Sequence, residues 1–82
     1  MIILDGKSMR DRQEIHVQLR QKLKLPEYYG NNLDALNDCL SERTGRELIV
    51  IENAGEMICE GDPYAIRLLR VFFDNGYQVL MG

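Results

Sequence analysis

Eighty-two residues, 45% hydrophobic and 28% charged, are enough for one small globular core and exclude a disordered chain. Ten basic against thirteen acidic residues give a formal charge of −3, which excludes a general nucleic-acid clamp. No apolar run is long enough to cross a membrane, no secretory signal is recognisable, and two cysteines make neither a disulfide framework nor a metal-ligand set; the expectation is a cytoplasmic protein with reduced thiols, no metal and no cofactor.

Met1-Ile2-Ile3-Leu4 is a short apolar run closed by the turn signal Asp5-Gly6, as expected of a strand buried on both faces of a parallel sheet. Asp11 is placed to cap a helix reaching Leu25, in which Ile15, Leu19 and Leu23 recur every fourth position. Six basic and two acidic residues between positions 7 and 24 give this segment a local charge of +4. Pro26 stops the helix, and the loop through Asn31 follows. Asn32 can cap a second helix from Leu33 to Ser41 or Glu42.

Leu33, Leu36 and Leu40 form the buried stripe of that second helix, with Cys39 at its border. Asp34, Asn37, Asp38 and Ser41 share the opposite stripe, which sets two carboxylates one turn apart on an exposed face. Residues 27–42 carry four acidic and no basic side chains. Thr44-Gly45-Arg46 turns the chain into a second strand signal, Leu48 to Ile51. The stretch from Glu52 to Gly61 is mixed, with one short helical turn around Met57. Asp62-Pro63 reads as a cap and first helical residue, Ala65, Ile66, Leu69, Phe72 and Phe73 as an apolar helix face, and Asn75-Gly76 as its end. Tyr77 to Met81 is the last strand.

The order β-α-α-β-(α)-α-β favours right-handed crossovers. The expected architecture is a single α/β domain over residues 1–82, with a three-stranded parallel sheet packed by three or four helices.

Enzymatic chemistry finds little support. Asp34 and Asp38 have no histidine nearby in sequence and no third ligand at helical spacing, in a chain too short to enclose a water-excluding pocket. Cys39 borders a core stripe and His16 reads as a structural histidine. Asp5-Gly6-Lys7-Ser8 lacks the other glycines of a phosphate loop, and no aromatic residue interleaves the cations of the first helix for base stacking. What remains is an acidic, hydroxyl- and amide-bearing surface beside Tyr28 and Tyr29, one of which is expected in the core. From the residues alone it is either a solvated face or an interface for a cationic partner.

The segment from Leu25 to Leu40, LPEYYGNNLDALNDCL, closely resembles the signature of the barstar family, the bacterial intracellular ribonuclease inhibitors, with weaker agreement at Gly6, His16, Leu19 and Leu48 to Glu52. The resemblance implies a non-enzymatic inhibitor or immunity protein that binds a cationic ribonuclease or ribonuclease toxin one to one, with no direct contact to nucleic acid or membrane. It implies that the second helix and its preceding loop plug the ribonuclease active site, imitating RNA phosphates. Asp38 would be the central anion, Asp34 would pair with further basic groups, Tyr28 and Asn32 would line the near rim, and Ser41 the far end. The chain departs from the family in Asn37, where a tryptophan is usual, and in Glu42-Arg43, where a glycine and a tryptophan are usual. The family's distal glutamate falls at Pro63, leaving Glu60 or Asp62 as substitutes, although Asp62 is also needed as a cap. The alternative is an immunity or regulatory module on the same fold for a basic partner that is not a ribonuclease.

Overall fold

The computed structural model describes residues 1–59 and 63–82. In chain order, β1 spans Ile2–Asp5, a 3-10 turn covers Gly6–Ser8, and α1 spans Arg12–Leu23. They are followed by α2 (Leu33–Glu42), β2 (Ile49–Glu52), α3 (Ala54–Cys59), α4 (Pro63–Asp74) and β3 (Val79–Met81). The three strands form one parallel sheet in the order β1-β2-β3. Crossovers through α1–α2 and α3–α4 connect them, as the alternation of strand and helix signals leads one to expect.

The caps behave as their residue types dictate. The Asp11 carboxylate accepts from Glu14 N at 2.8 Å, and Asn32 Oδ1 accepts from Ala35 N at 2.7 Å. The first helix ends earlier than Pro26 suggests: Lys24 takes the left-handed conformation, φ 54°, and its amide and that of Leu25 both turn back to the Arg20 carbonyl. Gly76, at φ 81°, closes α4 in the conformation only glycine adopts without strain. The cap assigned to Asp62, and any interface role of Glu60 or Asp62, lie outside the described residues.

Ile2 and Leu4, Ile49 and Ile51 point into a core completed by Ile15, Leu19 and Leu23 of α1, Leu36 and Leu40 of α2, Met57 of α3, and Leu68 and Phe72 of α4. Two expectations need correction. The strands are not buried on both faces: Ile3, Val50 and Leu80 stand in register across the back of the sheet, and Ile3 and Leu80 are 40% and 57% exposed. Among the described residues, the helices pack on the face that carries Ile2, Leu4, Ile49 and Ile51. The apolar face of α4 is the expected one at Ala65, Leu69 and Phe72, which are buried, but its two margins differ. Tyr64, Leu68 and Phe72 face inward, while Ile66 and Phe73 are exposed, because the helix docks on its Leu68–Phe72 side.

Polar side chains close the edges. At the free edge of β1, the buried Gln18 carboxamide accepts from Asp5 N and donates to Asp5 O at 3.1 Å, as a neighbouring strand would. Just beyond it, Gly6 lies so close to the β2–α3 turn that a β-carbon there would sit 2.3 Å from the carbonyl oxygen of Asn53. All the atoms in that space are backbone atoms of Glu52 and Asn53, which cannot swing aside as a side chain could. Gly6→Ala is therefore expected to lower stability by at least about 1–3 kcal/mol, read as a reduced urea midpoint with an unchanged m-value. An unchanged midpoint would show that the turn can give way.

Candidate functional site

The second helix has a clean division of faces. Leu36 and Leu40 are fully buried, and Leu33, Ala35 and Cys39 pack against the core from the margins. Asp34, Asn37, Asp38, Ser41 and Glu42 are all exposed, as the helical spacing requires. Asp34, Asp38 and Glu42 follow one another at intervals of four residues, about 6 Å along the helix axis. Among the described residues none of these three carboxylates forms an ion pair. The row is an uncompensated line of negative charge along one side of the helix.

The polar neighbours are more committed to the fold than the carboxylates are. Asn32 holds the helix start with its oxygen and donates from Nδ2 to the Gly30 carbonyl at 3.2 Å, so it shapes the loop as well as the rim. Ser41 Oγ donates back to the Asp38 carbonyl at 2.8 Å. Asn37 Oδ1 accepts from Asn75 Nδ2 at 2.7 Å, and Asn75 also donates to Val71 O, which ties α2 to the end of α4. Asn75 reads in the sequence only as a helix stop. Its second role depends on a partner 38 residues away and leaves no local signal.

The two adjacent tyrosines separate as expected. Tyr28 is 87% exposed, whereas Tyr29 is buried and its hydroxyl meets His16 Nδ1 at 2.6 Å. The other ring nitrogen of His16 meets the hydroxyl of Tyr64 in α4. This buried histidine joins α1, the site loop and α4, and holds Tyr29 so that its neighbour projects outward. Burial lowers the His16 pKa below the ordinary histidine value, and pushes the Tyr29 hydroxyl well above the usual tyrosine range.

A groove of about 580 Å³ runs between α2 and the loop, with Tyr28, Gly30, Asp38 and Glu42 on its walls and Lys24 and Arg43 at its margins. Cys39 lies within it, half-buried. Burial raises its pKa, and Glu42 and Asp38 add to the effect, so the thiol stays protonated at neutral pH. Whether Cys39 approaches Cys59 falls outside the described side chains. No group of three or more metal-ligating side chains is present among the described residues.

Arg43, the family departure after the helix, does not join the exposed row. Its guanidinium donates to the Leu23 carbonyl at 2.8 Å and to Glu47 at 3.0 Å. Arg46 donates to the Asn75 carbonyl at 2.6 Å and to the Arg43 carbonyl at 2.7 Å. The two arginines staple the segment after α2 to the C-terminal ends of α1 and α4, where orphan carbonyls accept cations well. Glu42 is left as the outward-facing residue at this end of the helix.

Among the described residues, no helix is long and apolar enough to cross a membrane. A Bacillus subtilis (strain 168) protein named "Putative ribonuclease inhibitor YrdF" is 50% identical over 40 residues, which are 49% of this chain and 44% of that protein. The match therefore spans less than half of the relative's length. The family model described as Barstar (barnase inhibitor) matches residues 1–78. With that match running through nearly the whole sequence, and a three-stranded parallel sheet carrying the exposed acidic helix, the chain belongs to the barstar family.

Proposed function

We propose that the protein is a non-enzymatic inhibitor that binds a cationic ribonuclease, or a ribonuclease toxin, one to one and occludes its active site with the exposed face of α2. The observation that carries this reading is the unpaired carboxylate row Asp34–Asp38–Glu42 in a chain of the barstar family. A ribonuclease must bind consecutive phosphates with arginine and lysine, and those groups accept carboxylates in the same geometry. Carboxylates held on a rigid helix meet such a site without first losing conformational freedom.

In this reading Asp38, at the middle of the row and on the wall of the groove, is the central anion. Asp34 engages basic groups toward the start of the helix. Tyr28 and Asn32 form the near rim, the exposed Tyr28 ring giving apolar contact. Asn37, Ser41 and Glu42 form the far end, where Glu42 adds a carboxylate at a position usually held by glycine. That charge suits a partner with a more basic rim than an aromatic-faced inhibitor requires.

The test is to mix the purified protein with the ribonuclease encoded beside its gene. The expected outcome is stoichiometric loss of RNA cleavage and a one-to-one complex whose association rate falls steeply with added salt. Undiminished cleavage at excess inhibitor would overturn the reading for that enzyme. Tight binding to a basic partner without ribonuclease activity would point to the same face serving another purpose.

A further inference from the structure

The first helix bears charge of the opposite sign, and the structure gathers part of it into a concavity. A cleft of about 400 Å³ is lined by Arg12, Gln13, His16, Val17 and Arg20 of α1 and by Asn31 of the site loop. Arg12, His16 and Arg20 follow at intervals of four residues, so they lie along one side of the helix. Asn31 closes the cleft from the loop in a left-handed conformation, φ 54°, which asparagine tolerates better than most residues.

The donors in this cleft are not consumed by the fold. The Arg12 guanidinium stacks over the Tyr64 ring at 4.6 Å, which orients it without neutralising it. Among the described residues neither Arg12 nor Arg20 has a carboxylate partner. The acids on the same helix are engaged elsewhere: Asp11 caps Glu14 N, and Glu14 accepts from Arg10 N at 2.9 Å. His16 contributes wall rather than donor, since both of its ring nitrogens are taken by tyrosine hydroxyls. Two guanidinium groups and the carboxamides of Gln13 and Asn31 therefore face one space in a chain whose net charge is negative.

We infer that this cleft between α1 and the site loop binds a phosphoryl group, either free phosphate or the terminal phosphate of a nucleotide or RNA fragment. Two cations on one wall, of which Arg12 is oriented by the Tyr64 ring, match a dianion, whereas a single carboxylate would leave one of them uncompensated. Planar guanidiniums offer paired donors to the oxygens of a tetrahedral anion, and the two amides supply neutral donors from other directions. The site is separate from the acidic face and does not depend on the inhibitor reading. It shares only the loop that carries Asn31 and the helix cap Asn32.

The experiment is an NMR titration of the whole chain, following backbone amides and arginine Nε–H signals. Inorganic phosphate and a 5′-phosphorylated ribodinucleotide are added separately. Saturable shifts at Arg12, Arg20 and Asn31 are expected, at least tenfold weaker binding in Arg20→Gln, and no change in Asp38→Ala. Equal affinity for both probes identifies free phosphate as the ligand, and tighter binding of the dinucleotide identifies a nucleic-acid end. Non-saturating shifts spread over Lys7, Lys22 and Lys24, or identical binding by Arg20→Gln, would overturn the inference. So would ligand-independent shifts that grow with protein concentration, since they would place a second copy's acidic helix in the cleft.

Discussion

Asp38→Ala is expected to weaken inhibition of the cognate ribonuclease by about 10²–10⁴-fold and to leave the fold intact. The carboxylate is exposed in the free protein and forms no ion pair among the described residues, so its removal takes nothing from stability. Alanine is also the better helix former at an interior helical position. In the complex the same group would be sealed against arginines and lysines of the partner. Removing one side of a desolvated pair leaves the other buried and uncompensated, at a cost of about 3–5 kcal/mol, and each 1.4 kcal/mol is a factor of ten in affinity. Asp34→Ala and Glu42→Ala, at the ends of the row, are expected to lose less and to act chiefly on the association rate. The measurement is the inhibition constant alongside the urea midpoint for each variant. Full inhibition by Asp38→Ala would remove the central anion from the mechanism.

The second large effect is on stability, and it is pH-dependent. His16 is buried between the hydroxyls of Tyr29 and Tyr64, and its pKa is lowered from 6.5 because burial penalises the imidazolium. The sign follows directly. A base whose native pKa lies below its unfolded value binds its proton preferentially in the unfolded chain. The stabilising neutral clamp is therefore fully present above pH 6.5 and is lost as pH falls from there toward the lowered native value. Asp5, whose carboxyl is held low by the Lys7 backbone amide and then by Asn53, adds acid sensitivity only below 3.8. The two windows do not overlap near pH 5.5.

Urea unfolding at pH 8 and 5.5 should show the wild-type protein losing stability across that interval, with His16→Gln nearly flat. Tyr29→Phe, a milder change, is expected to cost about 1–3 kcal/mol at pH 8 because a buried ring nitrogen loses its partner. Equal wild-type stability at both pH values would show that the imidazole is not held neutral. The clamp bears on the site as well, since it is the inner tyrosine of the site loop that His16 holds.

Much of the site is legible in the sequence. The stripe Asp34, Asn37, Asp38 and Ser41 follows from helical periodicity, and the cap at Asn32 from the chemistry of a side-chain oxygen next to free amides. Both are local rules acting within one or two turns. The split between Tyr28 and Tyr29 and the structural character of His16 are both legible in the sequence, although the pairing of that histidine with Tyr29 and Tyr64 is not. The parts that escaped are those in which a side chain finds a distant partner: Gln18 on the β1 edge, Asn75 on Asn37, and Arg43 and Arg46 on the ends of α1 and α4.

The small length and divided charge of the chain acquire a definite meaning in the folded protein. Sequence alone determined the order of elements, the parallel sheet, the acidic helix face and the family likeness, because periodicity, caps and turn residues act over short distances. Tertiary structure decided that Tyr64 and Leu68, rather than Ile66 and Phe73, complete the buried side of α4, that the sheet has an open back at Ile3, Val50 and Leu80, and that Arg43 turns inward while Glu42 faces out. It also decided that the basic half of the molecule is not simply a solvated helix but includes a cleft with Asn31 across from Arg12 and Arg20. Such outcomes depend on how elements dock, and docking is settled by shape and partner choice among residues far apart in the chain.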